Sequence, residues 1–165
     1  MDPPTPLISR VDNFTYIFTG NIYDHIVIER SNIIINGNGY MLKGNGSENG
    51  FYLDDISDVT IKNTNIKGFR YGVHLNSTSH NVLSGNNITN NLAGIYIELS
   101  LNNSISENNI TANNWYGIFL YGSSNNSMHK NNITNNWAGV ALYHSSNNSI
   151  SGDNIANNWP GILLS

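Results

Sequence analysis

Ser104-Ile105-Ser106-Glu107-Asn108-Asn109-Ile110-Thr111-Ala112-Asn113-Asn114-Trp115-Tyr116-Gly117-Ile118-Phe119-Leu120-Tyr121 contains every signal that decides the fold. Ser104-Ile105-Ser106 and Asn109-Ile110-Thr111 each set one Ile between polar neighbours. The last stretch alternates, with Ile118 and Leu120 on one face and Phe119 and Tyr121 on the other, at the strand period of two. No run keeps apolar residues at helical spacing. The same unit recurs along the chain. One apolar column reads Ile61, Leu83, Ile105, Met128, Ile150; a second reads Ile66, Ile88, Ile110, Ile133, Ile155. Glycines follow at Gly72, Gly94, Gly117, Gly139 and Gly161. Two further columns close the unit: Val73, Ile95, Ile118, Val140, Ile162, and Leu75, Ile97, Leu120, Leu142, Leu164. The step is 22 residues throughout, except for one of 23 caused by an extra residue between Ile110 and Gly117.

A repeat of this length is a solenoid, in which each unit buries its apolar face against its neighbours. A leucine-rich repeat would need a helix on the convex side, where this chain has Asn-Asn-Ile-Thr-Asn-Asn, a poor helix and a good pair of turns. Three short strands per coil, joined by Asn-rich corners, predict an all-β parallel β-helix. Asn tolerates left-handed backbone angles, and identical amides stacked about 4.8 Å apart can bond one another. The expected structural ladders are Asn65, Asn87, Asn109, Asn132, Asn154 and Asn91, Asn114, Asn136, Asn158, with a third column at Asn81, Asn103, Asn126, Asn148.

The chain has 165 residues, seven basic and eleven acidic, and a net charge of -4. That length makes one domain, divided into a cap and lead-in over residues 1–30 and repeats over 31–165. No basic stripe exists, which argues against a nucleic-acid partner, and no apolar run is long enough to span a membrane. Cysteine is absent, which excludes disulfides and thiolate metal sites. The N-terminus reads as a polar lead-in without signal-peptide character. Sequons at Asn13, Asn45, Asn76, Asn87, Asn102, Asn109, Asn125, Asn132 and Asn147 suggest an extracellular or cell-surface location. The glycosylation candidates are Asn13, Asn45, Asn76, Asn102, Asn125 and Asn147.

Tyr16-Ile17-Phe18-Thr19-Gly20-Asn21-Ile22-Tyr23, Ile26-Val27-Ile28-Glu29-Arg30 and the turn Asn36-Gly37-Asn38-Gly39-Tyr40 resemble the opening of NosD-type right-handed parallel β-helix proteins. The repeat Asn-Asn-Ser-Ile-Ser-x-Asn-Asn-Ile-Thr-x-Asn-x-x-Gly-Ile resembles theirs, also seen in carbohydrate-binding and sugar-hydrolase β-helix modules. The resemblance implies the right-handed β-helix. It implies little about function, since one fold hosts lyases, hydrolases, adhesins and spacers.

Galacturonan hydrolases of this fold use Asp clusters on neighbouring rungs, whereas Glu98, Glu107 and Asp153 fall here in different columns. Asp54, Asp55 and Asp58, beside Lys62, form a weak calcium candidate. The family's association with copper would require converging His or Met. His74, His129 and His144 occupy three columns, and Met128 sits in an apolar one. No cofactor is implied. Trp115, Trp137 and Trp159 stand in successive rungs with Leu92 continuing the column; Tyr96 with Phe119, and Tyr121 with Tyr143, share outward columns. Flat aromatic strips suit sugar rings, and these seven are the glycan-stacking candidates.

The resulting expectation is a secreted, non-catalytic structural or adhesive cell-surface module, not an enzyme. Its open last rung, with Ile150, Ile155, Ile162 and Leu164, would stack end to end on itself or on the remainder of a longer solenoid. The alternative expectation is a carbohydrate-binding or polysaccharide-active β-helix protein.

Overall fold

The computed structural model describes residues 7–165. The chain winds through three sheets of eight, six and seven strands, called A, B and C here, with no helix among the described residues. All pairings between coils are parallel and in register, for example Ile88 with Ile110 and Ile95 with Ile118. One full coil comprises Ser104–Ser106 in sheet A, Asn109–Thr111 in sheet B and Tyr116–Tyr121 in sheet C. This is the parallel β-solenoid of about 22 residues per turn that the repeat predicts.

The inward columns form one continuous core. Ile61, Leu83, Ile105 and Met128 line sheet A, Ile66, Ile88, Ile110 and Ile133 line sheet B, and all are fully buried. Sheet C supplies two inward residues per coil because its strands are six residues long. The glycine before each pair is fixed by space rather than by backbone angle: a Cβ on Gly94 would sit 2.6 Å from the Gly117 carbonyl oxygen and 2.7 Å from Ile110 Cγ2.

Left-handed residues turn the corners. Leu99, Asn102, Glu107 and Ala112, at φ 48, 55, 57 and 55°, serve successive corners of one turn. Inside the corners run buried amide ladders. Asn81, Asn103, Asn126 and Asn148 are joined by Nδ2–Oδ1 bonds of 3.0–3.1 Å. Asn91, Asn113, Asn136 and Asn158 form the second, and Asn86, Asn108, Asn131 and Asp153 the third. Each side-chain oxygen also accepts a backbone N–H of the preceding coil, as Asn108 Oδ1 does from Asn86 N at 3.0 Å. Each of these buried amides, and the corner N–H it serves, thereby gains a partner. The expected column Asn65, Asn87, Asn109, Asn132, Asn154 is also hydrogen-bonded, but on the outer surface of sheet B. Asn114 is not in a ladder. It is the exposed extra residue of the 23-residue step, and Asn113 takes the inward place.

The N-terminal segment expected as a cap divides in two. Thr15–Phe18 and Ile26–Ile28 already pair in parallel with the next coil. Only Ile8–Arg10 is antiparallel, covering the outer edge of Thr15–Phe18. Residues 1–6 of the expected lead-in lie outside the described residues.

Candidate functional site

The outer face of sheet C concentrates the chain's unusual side chains. Three columns face outward: the second and third alternate with the inward pair, and the first lies three residues before the second because the intervening glycine turns inward. The first reads Asn49, Tyr71, Ala93, Tyr116, Ala138; the second Tyr52, His74, Tyr96, Phe119, Ala141; the third Asp54, Asn76, Glu98, Tyr121, Tyr143. In the first column large and small residues alternate, so the tyrosine rings have room over Ala93 and Ala138, which are buried.

The second column is a stack of rings. His74 lies 4.8 Å from Tyr96 and nearly parallel to it, and Tyr96 lies 5.0 Å from Phe119 with only 8° between planes. Tyr116 stacks on Phe119 at 4.7 Å, and Tyr71 packs edge-on to Tyr96 at 4.9 Å. The Arg70 guanidinium sits 5.1 Å from the Tyr71 ring centre.

The tryptophan column is not a face-to-face ladder. Trp115 and Trp137 each meet Tyr116 edge-on, at 6.0 and 5.8 Å, and the three residues line an open groove of about 300 Å³. Trp159, 82% exposed, stands outside this group. Tyr121 is exposed and packs edge-on to His144, and Tyr143 packs edge-on to Phe119.

Polar groups are interleaved with the rings. Asn76 Nδ2 donates to Asp54 Oδ1 at 2.7 Å. His74 has Nδ1 3.3 Å from Asn49 Nδ2 and Nε2 3.4 Å from Glu98 Oε2. The Nε2 contact is close enough for ion pairing but lacks hydrogen-bond geometry, so that buried nitrogen is left unpartnered. Burial lowers the His74 pKa below the ordinary histidine value, outweighing the Glu98 carboxylate, which pulls it up. Burial, with Glu98 next to it, pushes the Tyr96 phenol far above its usual range. Tyr52 is raised by burial and by Asp54, and Tyr116 by burial and by Tyr143.

Glu98, Glu107 and Asp153 do fall in different columns: Glu98 on the outer face of sheet C, Glu107 at a corner and Asp153 at the end of an inner ladder. Asp54, read as part of an acidic loop, shares its column with Glu98, two coils apart. The calcium candidate does not hold together. Asp54 ends a strand against Asn76, Asp58 accepts from Ser57 Oγ at the following corner, and no metal-binding group of three includes them among the described residues. Of the glycosylation candidates, Asn13, Asn45, Asn102, Asn125 and Asn147 are exposed, whereas Asn76 lies within the sheet C face.

Residues 12–165 match the family described as periplasmic copper-binding protein (NosD). The chain belongs to the NosD family. No curated protein matches it. Among solved structures it is similar to a double mutant of the periplasmic alginate epimerase AlgG (20% identity, TM-score 0.69), covering 79% of this chain and 31% of that one. The AlgG structure without substitutions matches at 16% identity and TM-score 0.58, over 79% of this chain and 46% of that one. The enzymatically active domain of bacteriophage CBA120 tailspike protein 2 matches at 12% identity and TM-score 0.52, over 84% and 38%. This chain thus spans less than half the length of each, and at these identities the likeness is one of fold.

These matches overturn the expectation of a non-catalytic adhesive module that is not an enzyme. The structures sharing this fold are an epimerase and an enzymatically active domain. The acid-poor repeat that carried the expectation left out Asp54, which shares a face with Glu98. No helix among the described residues is long and apolar enough to cross a membrane.

Proposed function

We propose that this NosD-family chain holds an extracytoplasmic polysaccharide against the outer face of sheet C. The observation that carries the reading is the continuous strip from Tyr52 to the Trp115–Tyr116–Trp137 groove, where ring faces and edges alternate with Asn76, Glu98 and Arg70. Sugar rings stack their apolar C–H faces on such rings, while their hydroxyls need polar groups beside them. Successive coils repeat these contacts along the solenoid, which suits a polymer better than a single sugar. The likeness to an alginate epimerase and a tailspike domain supports a polysaccharide ligand, and the family's periplasmic description supports the location.

Copper, which the family description names, does not fit the residues present. Met128 is buried in the core, His129 Nδ1 bonds Ser151 at a different sheet, and His144 packs on Tyr121. No three His, Cys, Asp or Glu side chains among the described residues converge as ligands.

Affinity electrophoresis in gels cast with soluble polysaccharides tests the reading. The wild-type chain is retarded, and Trp137→Ala and Tyr121→Ala lose retardation while keeping their β-sheet circular dichroism. Unchanged mobility of the wild-type chain in every gel refutes it.

A further inference from the structure

The groove at the far end of the strip differs in chemistry from the strip itself. Asn76, Glu98 and Arg70 all belong to earlier coils, and the groove begins where these polar groups stop. Trp115 and Trp137 come from the same corner of adjacent coils, and Tyr116 lies between them. Both indoles stand edge-on to the Tyr116 ring, at 67° and 73°. About half of each indole is left exposed, 54% for Trp115 and 48% for Trp137.

The backbone and the sequence fix this arrangement. The Trp115 N–H donates to Leu92 O at 2.7 Å and the Ala138 N–H to Trp115 O at 3.0 Å, which pins the corner from coil to coil. Tyr116 pairs across the sheet with Ala138, whose single methyl leaves space beside the phenol ring that a larger residue would fill. Stacking on Phe119 at 4.7 Å holds the Tyr116 ring in place.

Size, charge and hydrogen bonding together select the occupant. A volume of about 300 Å³ is at the low end for ligand pockets and suits a small group better than a run of sugars. The face of an aromatic ring is electrically negative and attracts a cation. No cationic side chain competes for it. Beyond Glu98 the only Asp, Glu, Lys or Arg residues are Glu107, Lys130 and Asp153, and all three lie at the corner between sheets A and B. The three groove residues have among them two indole N–H groups and one phenol. A sugar ring or a primary ammonium enclosed there would lose more hydrogen bonds to water than these can replace. A quaternary ammonium has no N–H to satisfy and needs only ring faces against its methyl groups.

We infer that Trp115, Tyr116 and Trp137 form an aromatic cage for a quaternary ammonium substituent of the polysaccharide. The inference rests on the binding reading above and names the class of polymer: a sugar backbone with side groups that end in trimethylammonium. The backbone lies on the strip of the earlier coils, and a side group reaches the cage. The net charge of -4 favours the approach of such a polymer.

The test has two parts. Proton NMR follows the methyl signal of free choline as the full chain is added. The expected result is a saturable upfield shift, because ring faces shield protons held above them. The uncharged analogue of choline, with carbon in place of nitrogen, should bind at least about tenfold more weakly. Trp115→Ala and Trp137→Ala should each weaken choline binding by about tenfold. Tyr116→Phe, which keeps the ring face, and Trp159→Ala, outside the groove, should leave it unchanged; circular dichroism checks that all four variants fold. In the second part, gels cast with trimethylammonium-substituted dextran should retard the chain more than plain dextran does, and free choline should release it. No saturable choline shift, equal binding of the uncharged analogue, or full binding by Trp115→Ala overturns the cage; retardation by any polysaccharide then leaves the binding reading standing. Choline binding with equal retardation by the two dextrans overturns the assignment to a polymer substituent. No retardation by any polymer removes both readings.

Discussion

Replacing Asn108 by Leu tests whether the inner ladders hold the coils together. The Asn108 side chain is buried, at 1% exposure, and makes five hydrogen bonds within 3.0 Å. Its Nδ2 donates to Leu83 O, Ser106 O and Asn131 Oδ1; its Oδ1 accepts from the backbone and side-chain nitrogens of Asn86. With Leu in its place, Asn86 Nδ2 keeps Ile61 O and Asn131 Oδ1 keeps the backbone N–H of residue 108. The backbone N–H of Asn86 loses the side-chain acceptor it has, and Leu83 O loses a donor. At about 1–3 kcal/mol for each buried group left unsatisfied, the cost is about 3–4 kcal/mol. That is a large share of an ordinary domain's stability. Asn109→Leu, which breaks only the outer ladder at a half-buried site, should cost about 1 kcal/mol, and Asn114→Ala less than about 0.5 kcal/mol. Asn108→Asp at pH 7 should cost at least as much as Asn108→Leu, because its second oxygen would face the Leu83 and Ser106 carbonyls. The same residue type is tolerated at Asp153, whose second oxygen meets the Ser151 N–H instead, at 3.2 Å. Urea denaturation followed by far-ultraviolet circular dichroism gives the order. Equal midpoints for Asn108→Leu and Asn114→Ala would refute the ladder argument.

Gly94→Ala should destabilise the chain by about 1–3 kcal/mol, since its Cβ would overlap the Gly117 carbonyl and neither backbone has room to move; a thermal melt checks it. Leu99→Asn should stabilise by about 1 kcal/mol, because Leu99 is exposed and held at φ 48°, where Asn is tolerated and Leu is strained; an unchanged melting temperature counts against that account. The lowered His74 pKa makes this side chain resist protonation in the folded state, so its contribution is complete above the unfolded value of 6.5 and is lost as the pH falls below it toward the folded pKa. Melting temperatures measured from pH 7 to 5 should therefore fall more steeply in the wild-type chain than in His74→Gln.

The coil and its core were legible because one Ile per short strand, repeated in step, leaves little freedom in which face is buried. The ladders were only half legible. In each Asn-Asn-Ile-Thr unit the two asparagines look alike, yet Asn108 turns into the corner while Asn109 points out from the strand. Distance from the inward Ile settles this: a neighbour of Ile110 must face outward, so Asn109 could not be the buried one. The same count places Asn113, not Asn114, three residues after Ile110, as Asn91 stands after Ile88.

The candidate site was missed for a similar reason. Gly50–Leu53 aligns with Gly72–Leu75, and one further step in that alignment puts Asp54 beside Asn76 and Glu98. Treating Asp54 as part of an acidic loop hid the step. The His74–Glu98 contact joins different outward columns on adjacent coils, and column-by-column reading of a sequence has no term for diagonal contacts.

The ladders also give the solenoid an electrical direction. In all three inner columns the amide N–H₂ points toward the later coil and the oxygen toward the earlier one. Each amide therefore polarises the next, and the dipoles add along the axis. One column ends with the carboxylate of Asp153, so a negative charge meets the positive end of that row, as it would at a helix N-terminus. The outer ladder on sheet B runs the other way, with Asn109 donating to Asn87 and Asn132 to Asn109. Core and surface thus carry opposed fields. A charge placed on the axis at one end of the stack is not equivalent to the same charge at the other, although coil by coil the backbone is nearly the same.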